Sequence, residues 1–318
     1  MSDRMRAADG DPWVSVSLLG EALFCDRAGR FQYEQSQEDT GEESDIAPPR
    51  RGWYRPPFSI AEIEGELARL RPRVGVLFAV AAVALAAACL LMSPQGVGLG
   101  SGLLLVGCAF VTVQAVRAMI ALVALRELLA EARAAHKGEP DPGRHEPQEV
   151  SWWSLLANGF EVQRYEDKLS EPHWRLTGKP WRVLHRGSVR VPVFRKRNEE
   201  KKVFRQHFAR VAAYAYLIEM TTGAEVPYGI VLLGSSYRGL AIMIDNGSKK
   251  PFFDGLGRAR EIIRSGQWQN EPESGTKCRA CPWGKPMTTN RGITYHSACG
   301  DRYGWVPPHQ KAFLKRLL

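Results

Sequence analysis

Two long uncharged runs constrain this chain more than anything else in it. Val74 to Met92 reads VGVLFAVAAVALAAACLLM and Val97 to Val116 reads VGLGSGLLLVGCAFVTVQAV, each about the length a helix needs to cross a bilayer. Only Ser93-Pro94-Gln95-Gly96 separates them, a turn sequence. Two spans joined so tightly form an antiparallel hairpin, and within lipid each satisfies its backbone N–H and C=O groups inside its own helix. Neither run carries the polar stripe of a helix that faces water on one side. Arg69, Arg71 and Arg73 precede the first run, Arg117 and Arg126 follow the second, and the turn carries no charge. The positive-inside rule therefore predicts a two-span protein of the inner or plasma membrane with both flanking domains cytoplasmic. Cys89 and Cys108, inside the runs, are read as small apolar fillers.

Charge and cysteine usage narrow the rest. The 318 residues carry a formal net charge of +9, which favours anionic partners, either nucleic acid or membrane headgroups. The opening MSDRMRAADGDPW has no apolar core followed by a small-residue cleavage site, so no secretory signal is expected. Six irregularly spaced cysteines suit a metal or cluster site in a reducing compartment better than a disulfide framework.

Five segments follow from the shifts in composition. Residues 1–35 hold WVSVSLLGEALFCDRAGRFQYEQ, which predicts a short helix opening at Ser15 or Ser17 and presenting Cys25. Residues 36–72 are an acidic linker and the amphipathic SIAEIEGELARLR, and residues 73–135 are the hairpin with its helical extension RAMIALVALRELLAEARAAH. KGEPDPGRHEPQEV, within 136–150, reads as a linker. Residues 151–318 read as an α/β domain. RVLHR and VRVPVFR are strands turning at Gly187, and VFRQHFARVAAYAYLIEMTTG is a helix ending at Gly223. YGIVLLG and RGLAIMI are strands around SSY, and GRAREIIRSGQW is a helix. EVQRYEDKLSEPHW reads as a solvated acidic stretch.

The order of these pieces, Cys25 on an early helix, then GKPWRVLHRGSVRVPVFRKR, then HFARVAAYAYLIE, then a C-terminal CRAC with a later cysteine, resembles the CRISPR-associated RecB-like exonucleases. These are the iron–sulphur branch of the PD-(D/E)XK nuclease superfamily. The resemblance covers about residues 13 to 35 and 165 to 303. It implies an α/β fold, a PD-(D/E)XK (restriction-endonuclease-like) core, with the two-helix transmembrane hairpin as an insertion. In that family a G-x-x-D strand precedes a hairpin strand bearing E-x-K and a helix bearing Q-x-x-x-Y, and the two acids hold the divalent metal that activates water. Here Gly178 matches the glycine, while Trp181 and Phe194 occupy the two acid positions. Lys196 and Tyr214 survive as catalytic remnants, Arg210 replaces the glutamine, and His207 stands where an acid is usual. Neither indole nor phenyl supplies the oxygen ligands that Mg²⁺ or Mn²⁺ requires, so the catalytic metal is expected to be lost. The two aromatic groups are expected to fill the cleft, leaving Lys196 and Arg210 without acidic neighbours. Asp167, Glu166 or Glu171 as a migrated ligand, and His136 or His145 as the family's N-terminal histidine ligand, are the weaker candidates.

The resemblance also implies a 4Fe-4S cluster held by Cys25, Cys278, Cys281 and Cys299. Zinc is the rival, because Cys278, Cys281, His296 and Cys299 spell C-x2-C…H-x2-C and close a tetrahedral site without Cys25. Between Arg175 and Arg210, cations outnumber acids heavily and interleave with Trp174, Trp181 and Phe204. Arg195, Lys196, Arg197, Lys201, Lys202 and Arg210 are the candidate nucleic-acid contacts, with single-stranded DNA a fitting ligand and lipid headgroups the alternative. The leading expectation is a membrane-anchored, nuclease-like protein with lost catalytic acids that binds DNA or scaffolds a partner in DNA processing or defence. The alternatives are an active metal-dependent DNA exonuclease with relocated ligands, and a membrane redox-sensing or structural module with a lipid-facing basic surface.

Overall fold

The computed structural model describes residues 10–38, 59–91, 99–196, 200–234, 236–266, 281, 286–288 and 294–296. The chain divides into two compact units: Met1–Pro48, Glu139–Trp152 and Gly159–Leu318 form one, and Pro49–Gly138 with Trp153–Asn158 forms the other.

The first unit is mixed α/β. It opens with β1 (Val14–Ser15), α1 (Val16–Phe24) and α2 (Asp26–Glu38). Ser15 caps α1, its hydroxyl accepting from the Leu18 N–H at 3.1 Å, so of the two helix starts legible in the sequence Ser15 is the one used. Strand β2 (Gln148–Ser151) follows the proline-rich linker, and the short α5 (Trp152–Ala157) straddles the boundary between units. Next come β3 (Glu161–Gln163), β4 (Leu169–Glu171), β5 (Leu176–Gly178), β6 (Arg182–Arg186) and β7 (Val189–Lys196). Helix α6 (Arg205–Thr222), β8 (Tyr228–Leu233), β9 (Arg238–Met243) and α7 (Asn246–Ser265) complete it, with β10 (Pro286–Thr288) and β11 (Thr294–His296) as a separate antiparallel pair.

The six-stranded sheet runs β2-β9-β8-β7-β6-β3. Strands β3, β6 and β7 form an antiparallel run, Gly187 taking a positive φ of 58° in the tight β6–β7 turn. Strand β8 pairs parallel to β7, Phe194 lying opposite Val231, and α6 is the crossover that makes this possible. Helix α6 ends where Gly223 adopts the left-handed conformation, as its sequence predicts. Its inner face meets α1 and α7 in a core built on Leu19, Tyr214, Leu217, Phe252 and Leu256. Against the sheet it sets Val211 beside Val231 and Ile242, with Phe194 and Phe208 packed around them. Gly229 makes this approach possible, since a Cβ there would lie 2.4 Å from the Val211 Cγ1.

The stretch EVQRYEDKLSEPHW is not simply a solvated acidic loop. It supplies β3 and β4, and Glu171 is buried. Its carboxylate accepts the backbone N–H groups of His173 at 3.0 Å and Trp174 at 2.7 Å, closing the turn into β5.

The second unit is a helical hairpin of α3 (Ile60–Leu91) and α4 (Leu99–Ala134). Both helices are long and apolar enough to cross a membrane. The sheltered positions of α3 include Ile63, Leu67, Leu70, Val74, Leu77, Ala81, Ala84 and Ala88; those of α4 include Cys108, Val111, Ala115, Ala118, Leu122, Leu125, Leu129 and Ala132. Steps of four and three alternate along this series in each helix, the heptad spacing of a left-handed coiled coil. Residue size changes along the seam. It is mainly Ala and Cys in the apolar runs and mainly Ile and Leu beyond them. Small residues allow close helix approach where lipid gives no hydrophobic drive, whereas large aliphatics are what water rewards. The outward face of the apolar runs exposes Phe78, Val83, Leu85, Leu90, Leu103, Val106 and Phe110.

Candidate functional site

Because successive residues of a strand face opposite sides of the sheet, Phe194 and Lys196 of β7 face α6 while Arg195 faces away. Helix α6 brings His207 and Arg210 down over Phe194. The Arg210 guanidinium lies over the Phe194 ring, 5.1 Å from its centroid, and the His207 ring lies 6.0 Å from it. Arg210 does not lack an acid: its Nη2 pairs with the Glu21 carboxylate of α1 at 2.7 Å and lies 3.4 Å from the Ser17 carbonyl. Gly20 leaves the space for this, since a Cβ there would meet the Arg210 Nε at 1.9 Å. The expected cationic centre without acidic neighbours is therefore corrected. Glu21, one helical turn before Cys25, balances it.

Trp181 behaves differently from Phe194. It precedes β6 by one residue and leaves the pleat, so its ring stands 6.1 Å from Trp152 and beneath the Arg195 guanidinium at 4.8 Å, with Arg182 at 5.0 Å. The two aromatic residues at the expected acid positions thus serve opposite faces of the sheet, and Phe194 alone meets α6. Arg195 is buried and donates from Nη1 to the Gly234 carbonyl at 2.7 Å, while its Nε and Nη2 have no hydrogen-bond partner among the described residues. Burial, aided by Arg182 and offset by Tyr237, holds its pKa down to about 10.

Lys196 is buried and its ammonium donates to the carbonyls of Glu200 and, at 3.1 Å, Lys202. Burial lowers its pKa against the pull of Glu200. Tyr214 donates its hydroxyl to the Lys179 carbonyl at 3.2 Å and packs against Gly178. Burial first, then the charges of Arg210 and Lys196, push the His207 imidazole down to about 3, and its Nδ1 accepts the Phe204 N–H at 3.1 Å to start α6. The set is held by internal bonds rather than presented to solvent. No protein-family model and no curated protein matches the chain.

The remaining candidates are scattered. Of the six proposed DNA contacts, Arg195, Lys196 and Arg210 face inward, and Arg197 lies outside the described residues. Lys201 and Lys202 are exposed, Lys201 bonded to Glu149 at 2.5 Å and Lys202 over the Phe204 ring at 5.2 Å. Arg186 and Arg205 pair with Glu139 and Asp254. Glu166 and Asp167 are exposed on their loop, His136 is exposed, and His145 bonds the α7 cap Asp245 at 2.8 Å. Cys25 is the C-terminal cap of α1, and its carbonyl accepts from Gly29 in α2 at 2.9 Å, so it sits at a fixed helix junction. Asp26 beside it holds Arg258 of α7 through Nε at 2.8 Å and through Nη2. Cys281 is half-buried; Cys278, Cys299 and the side chain of His296 lie outside the described residues. Among the described residues no three of His, Cys, Asp and Glu gather as a metal group. The sequence reading missed Glu21 and Trp152, because nothing in their spacing signals the long-range partners that define them.

Proposed function

We propose that the chain is a membrane-anchored, PD-(D/E)XK nuclease-like protein that has lost its catalytic acids and acts by binding DNA rather than cutting it. The observation that carries the reading is Phe194 under Arg210, with Arg210 paired to Glu21. Where the superfamily needs an open oxygen-lined metal site, this chain has a ring, a guanidinium and one carboxylate already in use. The antiparallel run β3-β6-β7, the crossover α6 and the parallel β8 support the nuclease-like core. Two helices long enough to span a bilayer support the anchor. DNA contact falls to the exposed cations Lys201 and Lys202, while Lys196 and Arg210 hold the fold. The purified protein is expected to leave single- and double-stranded DNA intact with Mg²⁺ or Mn²⁺, and to bind DNA with an affinity that falls steeply with salt. Lys201→Ala with Lys202→Ala should weaken binding by roughly tenfold and flatten the salt dependence. Metal-dependent cleavage lost in Lys196→Ala would instead make the protein an enzyme.

The cysteines are part of the same proposal. Cys25 sits at a rigid junction tied to α7 through Asp26 and Arg258, and Cys278, Cys281 and Cys299 follow α7 in the chain. This supports a 4Fe-4S cluster that staples the two ends of the domain, with no part in any reaction step. Protein purified without oxygen should be brown and lose its iron in Cys25→Ser. Zinc that survives Cys25→Ser and is lost in His296→Ala would establish the tetrahedral alternative.

A further inference from the structure

We propose that Arg71, Arg73 and Arg117 form a collar that binds the phosphate groups of anionic phospholipids at one face of the bilayer. The proposal rests on the membrane-anchor reading and adds a lipid class to it. The Cys108 thiol donates to the Ala81 carbonyl at 3.3 Å, which sets the register of the two helices. From that level Arg73 lies eight residues down α3 and Arg117 nine residues down α4. At 1.5 Å per residue these are about 12 and 13 Å, so the two side chains start at nearly one height, with Arg71 about 3 Å lower. From there to the ends of the apolar runs is about 30 Å, the thickness of a hydrocarbon core. The three arginines therefore stand where headgroup phosphates lie.

Among the described residues their charge is uncompensated. All three are exposed, and no carboxylate pairs with any of them among the described residues. Lower on the hairpin the pattern changes, because Arg69 pairs with Glu66 at 3.6 Å and Arg133 with Glu64 at 2.7 Å. Pro72 sits between Arg71 and Arg73 and offers no N–H to the Ala68 carbonyl, a loss tolerated at a wet interface and costly in hydrocarbon. Guanidinium groups bind phosphate through paired N–H donors, and three of them without acids favour a headgroup with net negative charge. A phosphatidylcholine headgroup brings its own cation and offsets the attraction.

The test uses the full-length protein in detergent, titrated with short-chain phosphatidylglycerol or phosphatidylcholine, and then reconstituted in vesicles. At about fivefold per arginine, the wild type should prefer phosphatidylglycerol by tenfold or more. Arg71→Gln with Arg73→Gln and Arg117→Gln should bring the ratio below about twofold. The corresponding triple lysine variant should keep most of the preference, and so should Arg126→Gln, which lies about 27 Å below the Cys108 level. Equal affinity of the wild type for both lipids, or an undiminished preference in the glutamine variant, overturns the collar. Alkaline carbonate extraction tests the anchor separately. Release of the wild type from vesicles would overturn the anchor and the collar with it, whereas retention without lipid preference overturns the collar alone.

Discussion

Arg210 commits its charge to the interior of the protein, between the ring of Phe194 and the carboxylate of Glu21. A largely sheltered guanidinium needs its charge met, and Gly20 supplies the clearance that lets α1 meet it at Nη2, while Nε has no hydrogen-bond partner among the described residues. The same charge acts on His207, whose imidazole is held neutral by burial and by its cationic neighbours. The sign of the resulting pH dependence follows from the two protonation states. The folded pKa of about 3 lies below the unfolded value, so the stabilisation is complete above about pH 6.5 and is lost as pH falls toward 3. His207→Gln removes the titration and keeps an acceptor for the Phe204 N–H. Urea unfolding of that variant should show a flatter decline of stability between about pH 6.5 and 3 than the wild type. Parallel pH profiles for the two proteins would place the acid sensitivity elsewhere.

The elements of the α/β unit are held together by a crossover helix that presses directly on backbone. At Gly229 a methyl group would sit 2.4 Å from Val211 and 3.2 Å from the Pro192 carbonyl. Gly229→Ala reduces the freedom of the unfolded chain, which is worth a few tenths to 1 kcal/mol, but the clash costs about 1–3 kcal/mol and wins. The variant should unfold at lower urea with an unchanged m-value, and adding Val211→Ala should recover part of the loss. Strand β2 and the start of helix α7 are among the features that eluded the sequence reading, for local reasons. Strand β2 closes a segment rich in proline and charge, and it becomes a strand because β9 offers it a partner from Ala241 to Arg238. Helix α7 starts well before GRAREIIRSGQW, because Asp245 and Ser248 form a reciprocal cap.

For the whole molecule, the insertion of one unit into the other has a topological consequence. On the proposed two-span reading, arginine on both flanks is expected to return the chain to the side it left, so that residues before and after the hairpin share a compartment. In intact cells a membrane-impermeant thiol reagent should label Gln95→Cys and spare Asp141→Cys. Labelling of Asp141→Cys alone would reverse the orientation, and labelling of neither would sink the two-span reading. The heptad seam adds that the hairpin is one continuous coiled coil, from alanine-lined in the apolar belt to leucine-lined beyond it.

The apolar hairpin was legible in the sequence because length and hydropathy suffice to specify it, and so were α6 with its Gly223 cap, the β6–β7 turn and the strands β8 and β9. Each is set by local periodicity or turn chemistry. The resemblance to the nuclease family implied that Phe194 and Trp181 stand at its two acid positions, but said nothing of the faces they serve. Trp181 precedes its strand by one residue, and stepping off the pleat puts it against Arg195 and Trp152. The pairing of Arg210 with Glu21 joins residues 189 apart in the chain, and Glu171 turns inward to cap a bend. Such contacts arise only when α1, α6 and the sheet are packed together, because burial is what makes a charge seek a partner that no local pattern names.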